Sequence, residues 1–230
     1  MNALVVAYGR SGGDVLFDPS LPVEDVRATI HSGALGYYRS IGLFGRSANI
    51  RIGMPYALGN MRGLLAGADT EIYRSGVADM RVQISANLIG APQMNLRQFA
   101  EYRRGTTIWS SLAMVIPTGQ YDPARLINIG TNRWAFKPEM AMSQATGKWT
   151  VEGYAAAWLF TKNPQFQGNH VRKQSPLLTY QVHLSRNLKP GLWWAADFTY
   201  YHGGASQIGE VERQDFLRNA RLGLTVFHTR

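Results

Sequence analysis

The chain has no cysteine among its 230 residues. A disulfide framework, a thiolate nucleophile and a cysteine-ligated metal are therefore excluded. Charge is scarce too. Asp, Glu, Lys and Arg make up 17% of the chain, against roughly 25% in a soluble domain. Long hydrophobic runs are missing: no stretch approaches the ~18 apolar residues that a membrane-crossing helix needs. A mean hydropathy of -0.19 also excludes a bundle of such helices. It does not exclude a β-barrel, since half of each barrel strand faces water or the lumen. His31, His170, His183, His202 and His228 stand isolated, without metal-ligand spacing. Gly12-Gly13 is not followed by the Lys-Ser or Lys-Thr of a phosphate loop. No metal or other cofactor is expected. Residues Met1–Ala7 are apolar but too short for the hydrophobic region of a signal peptide, and no basic residue precedes them.

What is present is glycine (24 residues), aromatic residues (11%) and a formal net charge of +9. The basic residues are scattered rather than gathered on one face, so nucleic acid is not an expected partner. An anionic lipid surface or an anion-attracting pore fits the charge better.

Alternation is the strongest signal. Asp79, Arg81, Gln83, Ser85 and Asn87 alternate with Met80, Val82, Ile84, Ala86 and Leu88. Side chains of a strand point to opposite faces in turn, so this segment has one polar and one apolar face. Its length matches a tilted membrane-crossing strand of about 9–11 residues. Trp134–Ser143, Leu178–Ser185, Leu192–Tyr201 and the stretch around Leu222–Val226 repeat the pattern. Ala3–Gly9, Arg27–Arg39, Ser47–Tyr56, Thr106–Ile116 and Trp149–Phe160 are weaker candidates. About ten strands are therefore expected.

The connections alternate in length. Segments 41–45, 144–147 and 188–191 read as tight turns. Segments 10–26, 58–76, 117–130, 162–173 and 203–216 read as long loops. Short turns at one end and long loops at the other mark an outer-membrane barrel. Segment 90–105 breaks the rule, and helical spacing within it predicts a short helix near 95–103. Trp109, Trp134, Trp149, Trp158, Trp193, Trp194, Tyr200 and Tyr201 fall near strand ends, where interfacial girdles form. The fold class expected is all-β: an antiparallel transmembrane β-barrel, one domain over 1–230, in the outer membrane of a bacterium.

The polar face carries charge of both signs. Arg51, Asp79, Arg81, Lys137, Glu139, Glu152, Asp197 and Arg221 are the candidate residues of a lumen or solute path. Lys137, Glu139, Glu152 and Arg221 are expected to form one charge network, with Glu139 and Glu152 nearly opposite across the turn at 144–147. Such a network either selects solutes at a constriction or braces a narrow barrel, and both readings stand. Asn128, Thr131, Asn132 and Arg133 are candidate ligand contacts at the mouth, although Asn and Gly also serve turn geometry. His183, Ser185 and Asn187 share one strand face and raise the alternative of a lipid-active enzyme. That face is the lumen side, and a lipase must meet lipid outside, so an enzyme is not expected.

Specific motifs add to this. Pro117-Thr118-Gly119-Gln120-Tyr121-Asp122-Pro123 is followed by Leu126–Glu139, with Asn128, Gly130, Thr131, Asn132, Arg133 and Trp134. Together with Asn87–Pro92, Gly147-Lys148-Trp149, Gln174-Ser175-Pro176 and Tyr200–Gly204, these resemble the phenol-degradation meta-pathway (MetA-type) family of outer-membrane transporters. The resemblance covers nearly the whole chain. It implies a barrel of twelve strands, a signal peptide before the first strand, and chain beyond the equivalent of Phe227. On that basis the 230 residues are expected to be a shortened form whose end strands lack partners, an arrangement costly in lipid. The resemblance also implies transport, and the family's name points to small, phenol-like molecules. No energy-coupling motif is visible in the sequence, so passive diffusion is expected, with outer-membrane lipid and the solute as partners. A plugged, purely structural barrel is the alternative.

Overall fold

The structure, a computed structural model, describes residues 1–14, 23–65, 67–94, 96–102 and 105–228. The strands are β1 (Asn2–Asp14), β2 (Val23–Leu43), β3 (Arg46–Leu65), β4 (Ala68–Val77), β5 (Met80–Ile89), β6 (Thr106–Ile116), β7 (Ala135–Thr146) and β8 (Trp149–Phe160). They continue with β9 (Asn163–Phe166), β10 (His170–Gln174), β11 (Leu177–Lys189), β12 (Leu192–Gly203), β13 (Ser206–Ile208), β14 (Val211–Glu212) and β15 (Leu217–His228). One helix, α1 (Leu96–Glu101), lies in the segment where a short helix is expected. Residues 95 and 103 of that expectation fall outside the described residues, as do 15–22 of the expected loop 10–26.

The main sheet runs β1-β2-β3-β5-β6-β7-β8-β11-β12-β15, every neighbour antiparallel, with β4 added to β3. The ten strands of that path match the ten expected segments. Among the described residues β1 and β15 are its two edges and do not pair with one another.

Three tight turns sit at one end. Phe44-Gly45 joins β2 to β3 with both central residues at positive φ (51° and 72°), the backbone a two-residue hairpin requires. Gly147-Lys148 and Pro190-Gly191 make the equivalent links β7–β8 and β11–β12. The opposite end differs from expectation, because much of the expected loop there is strand. At 20 residues, β3 is about twice a membrane crossing. Its first half pairs with β5 (Ala48–Gly53) and its second half with β4 (Tyr56–Leu65). Pro55 stands where the partner changes, and its carbonyl accepts the Ala78 N–H at 2.8 Å. Proline is tolerated in a sheet at such a break. Segment 58–76 reads as loop because it is rich in Gly, Asn and Asp, Gly59 and Gly63 among them. These two glycines are there for close packing: a Cβ on either would lie 2.9 Å from a β2 carbonyl oxygen. Segments 162–173 and 203–216 likewise hold β9, β10, β13 and β14, which form a second, four-stranded sheet.

The large apolar side chains are outside. Leu4, Val6, Leu35, Met54, Ile84, Met140, Val151, Val182, Phe198, Leu222 and Leu224 are all exposed, while Asn87 and Asn163 are among the most buried side chains. A water-soluble sheet would bury the first set. An apolar outer face with a polar inner one suits a sheet whose outer solvent is lipid.

Candidate functional site

Strand register decides which polar groups meet. The turn at Gly147-Lys148 pairs Thr146 with Trp149 and so places Ser143 opposite Glu152 and Glu139 opposite Ala156. Glu139 and Glu152 are therefore four residues out of register, not opposite as expected. Glu152 faces His183 across β8–β11, and His183 faces Asp197 across β11–β12. Arg221 is opposite Thr199 on β15. In the other direction Gln83 is opposite Arg51, and Arg51 opposite Tyr38. The inner face thus has a cationic side on β3 and β5 (Arg51, Arg81). Its carboxylates stand on β7, β8 and β12 (Glu139, Glu152, Asp197).

Of the four residues expected as one network, only Lys137 and Glu139 meet. Lys137 Nζ pairs with Glu139 Oε2 at 2.6 Å, both side chains less than one-fifth exposed. The ammonium also lies 5.7 Å from the centre of the Trp158 ring. Glu152 instead accepts a hydrogen bond from the Tyr154 hydroxyl at 3.3 Å. Arg221 lies over the Tyr201 ring at 5.6 Å, on a strand well removed from β7. His183 Nδ1 bonds to Asp197, and its ring meets Tyr154 edge-on at 5.3 Å. The sequence puts His183 and Asp197 each on the polar face of its strand, and the register brings the two together. No hydrogen bond joins Ser185 to His183 among the described residues, so a nucleophile–base pair is not formed there.

At the outer end, Asp79 precedes β5 and is only 5% exposed. Its Oδ1 accepts the Gly119 N–H at 2.9 Å, and its Oδ2 accepts the Thr131 N–H at 2.9 Å and the Thr131 hydroxyl at 2.6 Å. The carboxylate thereby pins both limbs of the 117–134 loop rather than facing a solute path. Gly119 and Gly130 touch where the limbs meet: a Cβ on Gly130 would lie 2.7 Å from the Gly119 carbonyl carbon. The mouth candidates are tied into the same structure. Asn128 accepts the Asp122 N–H at 2.9 Å and donates to the Asp122 and Arg125 carbonyls, both at 3.0 Å. Asn132, at φ 51°, donates to Asn163 at 3.0 Å. Arg133 donates to Gln174 at 2.6 Å and stacks 4.4 Å over Phe160.

The loop leans inward. Ile127 packs on Val26, Ala28 and Met61. By alternation, Ala28 shares the β2 face of Tyr38, and Met61 shares the β3 face of Arg51, so this contact is on the lumen side. Arg74 on β4 holds the loop through a 2.9 Å bond from Nε to the Ile127 carbonyl. Burial, helped by Arg125, lowers the Arg74 pKa from its ordinary value, and Asp122 partly offsets this.

At the turn end a cavity of about 1360 Å³ opens on the inner face. Tyr38, Arg51, Trp109, Glu139, Glu152 and Tyr154 contribute to its wall, and Arg97 and Tyr102 come from the α1 segment. Asn87 fixes where that segment starts. It donates to the Ile89 and Ile108 carbonyls at 2.8 and 3.1 Å and accepts the Ala91 N–H at 2.8 Å. Alternation assigns Trp149, Trp194 and Trp134 outward, where the Trp149–Trp194 edge contact of 5.7 Å suits a girdle. Trp109, Trp158, Trp193 and Tyr201 instead face inward. Proximity to strand ends put them in the girdle; face parity, also readable from sequence, takes them out.

Long antiparallel strands, lipid-suited outer side chains, a polar inner face and short turns at one end define an outer-membrane β-barrel type of protein. The chain belongs to the family described as "Putative MetA-pathway of phenol degradation", whose model matches residues 11–227. The fold is similar to the crystal structure of an outer membrane channel from Pseudomonas putida F1, with a TM-score of 0.72 and 21% identity. That match covers 98% of this chain and 80% of the other. No curated protein matches the sequence.

Proposed function

We propose that the chain forms a channel in the bacterial outer membrane for small molecules, aromatic ones included, which cross by diffusion down their gradient. The observation that carries this reading is the inner cavity, with ionised groups of both signs beside aromatic faces on a wall whose outside is apolar. Ionised groups at membrane depth need partners or water, and a hydrated lumen supplies the water. The solute path is assigned to Arg51, Arg81, Lys137, Glu139, Glu152, Asp197 and Arg221. Asp79 and the mouth residues Asn128, Thr131, Asn132 and Arg133 act by shaping the 117–134 loop. Family membership supports an aromatic solute, and the fold of the Pseudomonas channel supports passage. The sequence shows no energy-coupling motif, which supports diffusion.

The alternative of a plugged structural barrel is favoured by two observations. Lys137–Glu139 and His183–Asp197 are already paired, and the 117–134 loop leans over the lumen side. Vesicle swelling separates the two. Vesicles containing the protein should swell faster in phenol and catechol than empty vesicles do. Swelling no faster than empty vesicles with every small solute would leave the plugged barrel.

A further inference from the structure

Arg51 and Arg81 stand side by side on the inner face as a pair of cations without a carboxylate partner among the described residues. Arg51 lies opposite Gln83 and Arg81 opposite Gly53 on the neighbouring strand. They are thus diagonal neighbours on one face, with backbones roughly 7–8 Å apart at those positions. Among the described residues no carboxylate lies within 4.0 Å of either guanidinium, whereas Lys137 has Glu139. Both side chains are exposed on the inner face. Arg51 lies 5.8 Å from the centre of the Tyr38 ring, and Tyr38, Trp109, Tyr102 and Tyr154 line the cavity that Arg51 enters, while Arg81 stands beside that cavity rather than in its lining.

We propose that this corner of the lumen is a binding site for aromatic carboxylates, with Arg51 and Arg81 holding the carboxylate and the Tyr38–Trp109 side holding the ring. The assignment deepens the channel reading and rests on it for its role in transport. The physical case has two parts. A guanidinium presents a planar fork of N–H donors that matches a carboxylate, and such charge-assisted bonds are about twice as strong as neutral ones. Aromatic side chains offer a ring both area and a preferred edge or offset contact. A neutral phenol would use only the second part. Glu139 does not oppose the anion strongly, because Lys137 neutralises it at 2.6 Å. Glu152 lines the same cavity and accepts from the Tyr154 hydroxyl.

Calorimetric titration of the purified full chain in detergent tests the assignment, with benzoate, its neutral counterpart benzamide, and cyclohexanecarboxylate as probes. Benzoate should bind about tenfold more tightly than benzamide, the difference between a charge-assisted and a neutral hydrogen-bond set. Cyclohexanecarboxylate, equally charged but without a π face, should bind more weakly than benzoate. In the R51Q/R81Q variant benzoate should fall to the benzamide level while benzamide is unchanged. R51K/R81K should regain part of the preference. Equal binding of benzoate and benzamide to the unaltered protein would overturn the site, and so would a preference that survives R51Q/R81Q. Binding is read here without transport. Vesicles that fail to swell would therefore sink the channel reading alone, while equal affinities would sink this site alone.

Discussion

Replacing Asp79 by Ala should release the 117–134 loop while leaving the barrel wall standing. The carboxylate is 5% exposed and accepts three hydrogen bonds at 2.6–2.9 Å from the two limbs of the loop. Each bond to a charged group is worth about 1.5–3 kcal/mol, and the donors left behind regain part of that from water once the loop opens. A net cost of about 3 kcal/mol to the closed loop follows, or roughly a hundredfold in its closing equilibrium. Asp79→Asn should cost nearly as much, because its amide would turn an N–H toward a donor. The expected phenotype is protease cleavage between Gly119 and Thr131, with faster amide exchange there. Single-channel conductance should rise, since Ile127 would leave the lumen-side cluster of Val26, Ala28 and Met61. Heat-modifiable migration on gels should be unchanged, since β5 is held by β3 and β6. Unchanged protease resistance in Asp79→Ala would refute the latch.

Other outcomes follow from the inner face. Glu139→Gln with Glu152→Gln should shift selectivity in planar bilayers toward anions, because two carboxylates leave a wall that keeps Arg51, Arg81 and Lys137. Lys137→Met should lower the gel-shift melting midpoint by stranding a mostly buried Glu139, a cost of about 3 kcal/mol or somewhat less. Lys137→Met with Glu139→Met should recover most of that loss. Asn87→Ala removes a 2% exposed side chain with three backbone bonds. It should cost about 2 kcal/mol and raise proteolysis of segment 90–105.

Much of the wall was legible in the sequence, because a membrane sheet writes its two solvents into alternate residues. Asp79–Leu88 shows this at full length, and the same parity places Arg51, Lys137, Glu152 and Arg221 on one face. The outer end was less legible. Gly59 and Gly63 read as loop residues, yet they serve close strand packing. Short strands such as Ser206–Ile208 are too brief for alternation to register. Register was legible in principle from the turn at Gly147-Lys148, which fixes Glu139 opposite Ala156. The role of Asp79 was not, since its partners Gly119 and Thr131 lie 40 and 52 residues away. The motif around Gly119–Arg133 stood out because it resembles a family; the structure supplies the physical reason, a loop whose polar groups bond both to its own turns through Asn128 and to Asp79, Asn163 and Gln174 outside it.

The central claim is that one face of this sheet meets lipid and the other an aqueous lumen. The absence of cysteine makes it directly testable, because any introduced thiol is the sole one. Single cysteines at Ile84, Val182 and Phe198, and at Gln83, Gln181 and Thr199, would be probed in bacterial outer membranes. The first three should resist a charged thiol reagent and, once carrying a fluorophore, be quenched by lipid-borne spin labels. The second three should react with the reagent and escape that quenching. Labelling without this alternation, or with the two faces exchanged, would contradict the account.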